Sequence, residues 1–516
     1  MVWEPEVEQL RRRKEMAEEL GGEERVARHR ASGKLTVRER IRALVDEGSF
    51  REVGSTAGFA AYGDDGELVE FVPANFVFGR AEIDGRPVVV AGDDFTVRGG
   101  SSDAAIWRKA VYAEQLAREL KLPIIRLVDG SSGGGSVKSY HDIGRTYVPP
   151  LPGWADQTAL LSEVPVVAAA LGSVAGLGAA RVAASHFSLM VEGTSQIFTA
   201  GPPVVAYATH EDVDKEQLGG VEIHGVNGTV DNVARSEEEA FWQIRAFLSF
   251  LPRHVGQPAP RRTSTDDPAR REERLLSVIP RNRRAGYDPF DLIQMIVDTE
   301  SLFVIGSGWG QSVVTGLARL DGHPVGVLAS DPNQLGGTLT ADGSDKLRRF
   351  VDLCDTFHLP LVNLVDQPGF AVGVQAEGEA TIRRGVTAIA ALYQLSVPVF
   401  TVILRRAFGV AGAALVDRGE PDVRVAWPSG DWGSLPLEGG VEAAYRRVLA
   451  DSDDPDALRD ELLAGFEAIR SPFRTADAFD IEEIIDPRDT RPILCEWVNL
   501  VWDTIEPGPR TRGYRP

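Results

Sequence analysis

The chain repeats its own pattern of apolar and polar positions. From Asp84 to Asp129 it reads DGRPVVVAGDDF…RGG…RKAVYAEQLARELKLPIIRLVD. From Asp321 to Asp366 it reads DGHPVGVLASDP…LGG…KLRRFVDLCDTFHLPLVNLVD. Gly85/Gly322, Pro87/Pro324, Val88/Val325, Gly99/Gly336, Gly100/Gly337, Lys109/Lys346, Pro123/Pro360 and Asp129/Asp366 pair with no shift in register. Self-similarity of this kind marks a duplicated unit. Asp84-Gly85 between two β-rich runs predicts a hairpin. Ile106, Ala110, Ala113, Ala117 and Leu120 recur at helical spacing, so they form one helix face, with Asp103 as N-cap and Pro123 as the stop. A short strand over 124–128 follows. In the second copy Leu347, Phe350, Cys354 and Phe357 occupy the same helix face, and 361–365 is the matching strand. Strand, helix and buried strand in alternation predict a layered α/β fold.

The repeat continues on both sides. VDEGSFREVGS from Val45 answers VDTESLFVIGS from Val297, and EVPVVAAALGSVAGLGAA from Glu163 answers SVPVFTVILRRAFGVAGAA from Ser396. The expected organisation is two domains, 1–255 and 285–516, joined by a Pro- and Arg-rich linker over 256–284. That linker is read either as ordered surface or as a basic patch for an anionic ligand; composition does not separate the two. Residues 1–30 predict a charged helical arm. Leu35, Ile41, Leu44 and Val45 predict the next helix, stopped by Gly48. Near the C-terminus, Pro455–Ile469 is the one helix-like stretch, followed by a polar tail.

Charge narrows the partners. The net charge of -21, from 55 basic and 76 acidic residues, argues against nucleic acid and anionic membranes. Cys354 and Cys495 are too few for a disulfide framework or a zinc ribbon. The N-terminus lacks an apolar signal core. The most apolar run, Val164–Ala180, is broken by Pro and Gly, and reads as a buried strand entering a turn rather than a membrane span. A cytoplasmic protein is expected. There is no GKS/GKT loop, HExxH or GxSxG, and the histidines do not stand at metal-ligand spacing, so no metal is expected. The GSGWG at Gly306–Gly310 has no following lysine and reads as a turn.

What remains is backbone chemistry. The strands 166–171 and 399–404 each run into a small-residue turn, Ala175-Gly176-Leu177-Gly178-Ala179 and Gly409-Val410-Ala411-Gly412-Ala413. Each turn opens an Ala-rich helix, whose first N–H groups have no intrahelical partner. Such groups suit a developing oxyanion. Tight strand–helix packing is the competing explanation for the small residues. For a single turn it would be preferred; two turns at matching places suggest two facing oxyanion holes. Gly133, Gly134 and Gly135, after the strand that ends near Asp129, add a third Gly-rich turn.

GDDFTVRGGS (92–101), LPIIRLVD (122–129), GTSQIFTAGPPVV (193–205), EDVDKEQLGGVEIH (211–224), PLVNLVDQPGF (360–370), the Ile382-Arg383-Arg384-Gly385 run, TVILRRAFG (401–409) and AWP (426–428) carry a family resemblance that runs from about Leu35 to Ala450. The chain is similar to the carboxyltransferase (β) subunits of biotin-dependent acyl-CoA carboxylases, the propionyl-CoA and methylcrotonyl-CoA carboxylase group. This resemblance implies two duplicated crotonase-like (ClpP/crotonase) spiral domains of α/β class. It implies acyl-CoA on the first domain, with catalytic donors at Gly176 and Leu177. It implies carboxybiotin on the second domain of a neighbouring subunit, with donors at Gly409 and Val410. Carboxybiotin would arrive on a separate carrier, so a biotin carboxylase and a biotin carboxyl carrier subunit are implied partners. The implied assembly is a homo-oligomer, usually a hexamer built as a trimer of dimers. Gly133, Gly134, Gly135, Gly412 and Ala413 fall on the substrate side. Family members often have Gly-Gly where this chain has Gly176-Leu177 and Gly409-Val410. Members acting on short acyl chains have an aromatic and an acidic residue where it has Gly412 and Ala413, so a wider acyl pocket is expected. Two other readings are a biotin-independent crotonase-like decarboxylase or hydrolase, and a non-catalytic scaffold subunit.

Overall fold

The computed structural model describes residues 2–101, 105–130, 140–141, 144–417, 423–467, 469–510 and 512–516. The chain forms two compact units, Met1–Gln257 with Gly508–Pro516, and Pro258–Pro507.

In the first unit seven strands lie side by side in chain order: β1 (Arg51–Val53), β2 (Phe76–Ile83), β3 (Arg86–Asp93), β4 (Ile124–Val128), β5 (Val166–Ala170), β6 (Phe187–Val191) and β7 (Asn232–Ala234). The β1–β2 and β2–β3 pairs are antiparallel and the remaining pairs parallel. The second unit repeats this with β8 (Phe303–Ile305), β9 (Val313–Leu320), β10 (His323–Ser330), β11 (Leu361–Gln367), β12 (Val399–Phe408), β13 (Val423–Ala426) and β14 (Glu483–Ile484). Its pairings have the same sense, two antiparallel and then all parallel.

Local chemistry accounts for the repeat. The two hairpins close at Ile83–Arg86 and Leu320–His323. Their two-residue turns, Asp84-Gly85 (φ 51° and 71°) and Asp321-Gly322 (φ 47° and 78°), have the doubly positive φ that a tight hairpin demands. The crossover helices Trp107–Leu120 and Ala341–Thr356 lead into β4 and β11. The first begins at Trp107, with Ile106 as N-cap; Asp103 lies outside the described residues. The second is capped by the Thr340 hydroxyl, which accepts from the Gly343 N–H at 3.1 Å. Strands β4, β5 and β6 are buried along their whole length, as parallel strands covered on both faces must be. Arg126 lies in the middle of β4 and is fully buried, because Glu114 takes its guanidinium at 2.9–3.0 Å and the carbonyl of Ala184 at 2.7 Å.

The chain between the repeats is less of a linker than its composition suggests. From Pro258 onward it belongs to the second unit. Arg270 donates to the carbonyls of Met295 and Val297 at 3.0 and 2.9 Å, and Arg262 N–H to the Gly322 carbonyl at 3.0 Å. At the C-terminus there is a helix beyond the expected one, Thr490–Trp502, which buries Leu494, Cys495, Trp497 and Val498. Its buried positions Arg491, Leu494, Cys495 and Val498 recur at helical spacing. The final segment joins the first unit, where the Tyr514 ring meets His186 at 4.4 Å. Helices Glu4–Glu18 and Glu23–Ala31 form the expected charged arm, and Val37–Leu44 follows with a Thr36/Glu39 capping box. No described helix is long and apolar enough to cross a membrane.

Candidate active site

In both units a short parallel ladder precedes the turn, set apart from the main sheet in the first unit and continuous with it in the second. After β5, Ser173–Ala175 pairs in parallel with Gln196–Phe198. The far end of β12, Arg406–Phe408, pairs in parallel with Asp431–Gly433. Each short ladder delivers a glycine with positive φ, Gly176 at 55° and Gly409 at 62°. A helix starts immediately, Leu177–Ala183 in the first unit and Gly409–Val416 in the second.

The first turn differs in one respect from the expected donor pair. The N–H of Gly176 donates to the Phe198 carbonyl at 3.1 Å, extending the small ladder, and its carbonyl takes the first helical bond from Ala180 at 3.0 Å. The amides of Leu177, Gly178 and Ala179, in the first helical turn, are then the ones without an intrahelical acceptor, Leu177 and Gly178 being nearest the turn. Gly176 itself is exposed, and a Cβ placed on it would meet nothing within 4 Å. Backbone conformation, φ 55° with ψ -115°, requires glycine there, not lack of room.

The second turn places Gly409, Val410 and Ala411 in the corresponding first helical turn. Val410 points outward, 65% exposed. Its helix ends on Arg424, which donates to the Val416 carbonyl at 3.0 Å and places a cation at the negative end of the helix. Gly409 and Ala413, one turn apart, line a cavity of about 190 Å³ together with Ile403, Ala407, Val416 and Trp432. Gly412 does not widen that cavity. A Cβ on Gly412 would come within 2.6 Å of the Ala407 carbonyl carbon, so this glycine serves close strand–helix packing. Gly133, Gly134 and Gly135 lie outside the described residues.

The Gly306–Gly310 loop is a turn of another kind. Its carbonyls face inward, and Lys346 donates to those of Gly306 and Trp309 at 2.6 and 3.1 Å and to Val313 at 2.6 Å. A phosphate loop would offer N–H groups instead. His224 has its pKa lowered by burial and sits 3.0 Å from the Thr229 hydroxyl.

A carboxyl transferase domain model matches residues 28–513. The chain belongs to the carboxyl transferase family. It is 34% identical over 496 residues to the propionyl-CoA carboxylase carboxyltransferase subunit of Haloferax mediterranei, covering 95% of both chains. It is 34% identical over 498 residues to the methylmalonyl-CoA carboxyltransferase 12S subunit of Propionibacterium freudenreichii subsp. shermanii, covering 95% of this chain and 92% of the relative. A methylmalonyl-CoA decarboxylase α subunit of Veillonella parvula is 33% identical over 481 residues, 92% of this chain and 91% of the relative. The crystal structure of hexameric transcarboxylase 12S with methylmalonyl-CoA bound superposes with a TM-score of 0.86 at 32% identity, over 99% of this chain and 97% of that one. The duplicated crotonase-like fold and the carboxyltransferase reading of the sequence both stand. This family member is an acyl-CoA carboxylase carboxyltransferase subunit.

Sequence reasoning passed over two buried carboxylates near the turns. Asp129 and Asp366 are both 0% exposed and stand at the ends of β4 and β11. The signal was present, since they pair in register in the repeat.

Proposed function

We infer that the chain moves a carboxyl group from carboxybiotin to the α-carbon of an acyl-CoA, or to its vinylogous carbon, through an enolate held by backbone donors. The observation behind this is the pair of glycine turns, one per unit, each with positive φ and each opening a helix. At the first turn the amides of Leu177 and Gly178, presented by Gly176, polarise the thioester carbonyl. At the second, those of Gly409 and Val410 stabilise the ureido oxygen of biotin. The N-carboxyl bond of biotin breaks and carbon dioxide is released. The freed nitrogen takes the α-proton, and the enolate carbon attacks carbon dioxide. No side-chain base is needed in this scheme.

None of Met1, Met16, Met190 and Met295 precedes a lysine, while a biotin-bearing lysine is expected after a methionine, which supports a biotin carried on a separate subunit. The proposed partners are a biotin carboxyl carrier and a biotin carboxylase. The proposed assembly is a homo-oligomer of the 12S kind, and the proposed location is the cytoplasm. Ala413 and the cavity beside it favour a branched, longer or aromatic acyl group over acetyl or propionyl. The decarboxylase relative favours a second reading, in which carboxyl transfer runs outward from a carboxylated acyl-CoA.

The test supplies the pure chain with carrier, carboxylase, ATP, bicarbonate and an acyl-CoA series. Carboxylation is expected only when all parts are present. ATP-dependent carboxylation by the chain alone, without biotin, would overturn the reading. Transfer onto biotin from malonyl-type CoA esters, with no forward reaction, would select the second reading.

A further inference from the structure

One buried aspartate stands in each unit where the strand leading to the glycine turn bends or bulges. In the second unit, β11 and β12 pair at Val365–Ile403 and resume at Gln367–Ala407. Between those pairs Leu404, Arg405 and Arg406 of β12 oppose Asp366 alone, which is a bulge. Bulges re-aim a strand, and they leave an amide without a ladder partner. Here the Arg406 N–H is taken by Asp366 Oδ1 at 3.1 Å, and the same oxygen accepts Arg406 Nε at 2.6 Å. Asp366 Oδ2 accepts Arg405 Nη2 at 2.8 Å and Arg406 Nη2 at 3.0 Å. Arg406 Nη2 also donates to the Gly336 carbonyl at 2.8 Å. One guanidinium therefore ties together the end of β11, the Leu335–Gly337 turn and the strand end just before Gly409.

In the first unit the bend falls at Leu171-Gly172, between the last main-sheet pair, Val128–Ala170, and the first small-ladder pair, Gln196–Ser173. Asp129 packs on it so closely that a Cβ on Gly172 would lie 2.0 Å from Asp129 Oδ1. Arg40 Nη1 reaches Asp129 Oδ2 at 2.9 Å, and Arg40 Nη2 reaches the Leu171 carbonyl at 2.7 Å. Again one guanidinium joins the buried carboxylate to the bend that leads to the glycine.

We propose that Asp366 with Arg406, and Asp129 with Arg40, are positioning residues that aim the two glycine turns and so set the rate of carboxyl transfer without touching substrate. The proposal rests on the proposed function for what the turns do. A group that merely packs would support stability throughout its unit. A group that aims a turn changes turnover before it changes substrate affinity, and misplacement by an ångström can cost roughly 10²-fold.

Arg406→Lys is the deciding variant. Its side chain is 16% exposed, and Arg405 remains against Asp366, so the unit keeps a charge partner. Lysine keeps the charge but cannot span both Asp366 and the Gly336 carbonyl. The measurements are kcat and KM for acyl-CoA with partner subunits supplied, the melting temperature, and amide hydrogen exchange along 404–416. The expected result is kcat lowered roughly 10- to 10²-fold, KM nearly unchanged, and faster exchange confined to the first turn of the 409–416 helix. Asp129→Asn should give the same split, with faster exchange at 173–180. Unchanged kcat in folded Arg406→Lys would overturn the proposal. So would a loss of kcat that tracks a general loss of stability and protection. Should the wild type itself transfer no carboxyl group, the proposed function fails, and local exchange alone decides whether these groups aim the turns.

Discussion

The two units hold equivalent aspartates with cations from different parts of the chain. Asp366 is held by Arg405 and Arg406, which lie on the adjacent strand β12. Asp129 is held by Arg40 and Lys34, which lie on and just before the helix Val37–Leu44, with Arg40 also bound to Glu237 at 2.7 Å. Burial alone would raise the Asp366 carboxyl, but its bonds to Arg406 and Arg405 outweigh that and hold it below the usual range. Its stabilising contribution is therefore present above the ordinary carboxylate pKa and lost only as pH falls through the lowered folded value. The second unit completes its charge pair as its sheet forms. The first cannot do so until its N-terminal segment has docked. A duplicated backbone thus does not require duplicated electrostatics, and the docked segment becomes part of the turn's support.

Removing the distant cation should give the largest effect. Arg40→Met leaves Asp129 and Glu237 buried without their guanidinium. Lys34 remains 3.4 Å from Asp129, but Glu237 loses the cation bound to it, and an uncompensated buried charge costs about 3–5 kcal/mol. Arg406→Met leaves Asp366 its bond to Arg405, and a smaller loss is expected. Chemical denaturation of both variants, followed by a probe in each unit, measures the difference. Equal losses would break the comparison.

The turns themselves come next. Gly176 has open space above it and a backbone conformation closed to side chains, so Gly176→Ala should fold and yet distort the turn. Loss of one oxyanion donor costs on the order of 3 kcal/mol in the transition state, so kcat should fall about 10²-fold. Gly409 is at φ 62°, where a side chain costs roughly 1–2 kcal/mol, so Gly409→Ala should be milder. Turnover of the two variants, with gel filtration to verify assembly, would show whether the turns are equally strict.

The repeat made most of this fold legible. Register-matched Gly, Pro and Asp marked the hairpins, the crossover helices and the parallel strands, because each of those residues answers a local backbone demand. The glycine turns were legible for the same reason. Three things were not. Gly176 was expected to be a donor, but its amide belongs to a ladder with Gln196–Phe198, a contact across the fold that no local pattern announces. Gly412 was expected to open a pocket, but it is small because the Ala407 backbone lies against it. Arg40 looked like one more polar residue on an amphipathic helix, and only the fold shows it buried between two carboxylates.

Lys109 and Lys346 share a repeat position and should respond oppositely to the same change. Lys346 donates to three carbonyls. Lys109 is 8% exposed, and its ammonium has no hydrogen bond among the described residues. Burial pushes its pKa down to about 8. The unfolded chain then binds more protons than the folded one between about pH 8 and the ordinary lysine value near 10.4. Wild-type stability should rise with pH across that window, and the burial penalty is fully present below it. Lys109→Met should therefore stabilise the first unit at pH 7 by roughly 2–3 kcal/mol, with the gain shrinking toward pH 10. Lys346→Met should destabilise the second unit, because it leaves three carbonyls without their donor. Melting curves from pH 6 to 10 measure both signs. A destabilised Lys109→Met would mean that the first-unit lysine is held as well as its counterpart.

The smallest expected effect concerns the acyl group. With Gly412 assigned to packing, Ala413 is the small residue that leaves room beside Gly409, in the cavity of about 190 Å³ that also meets Ile403 and Trp432. Val410 does not refill that space, since it points outward. Ala413→Asp adds a carboxylate, one carbon and two oxygens, and so brings both charge and bulk to the cavity lining. Ala413→Asp should then lower turnover of branched and longer acyl-CoA esters and spare short ones. Each matched methylene in an apolar pocket is worth roughly 1–3 kcal/mol, so the shift should be tens-fold, not absolute. Ala413→Leu separates shape from charge: it should reject long chains without the ionic penalty. The measurement is kcat/KM across an acyl-CoA series for both variants and the wild type, with the partner subunits supplied. Fast acetyl-CoA turnover by the wild type, with no gain for larger acyl groups and no change in either variant, would place the acyl group elsewhere and leave the cavity at the second turn without a part in selectivity.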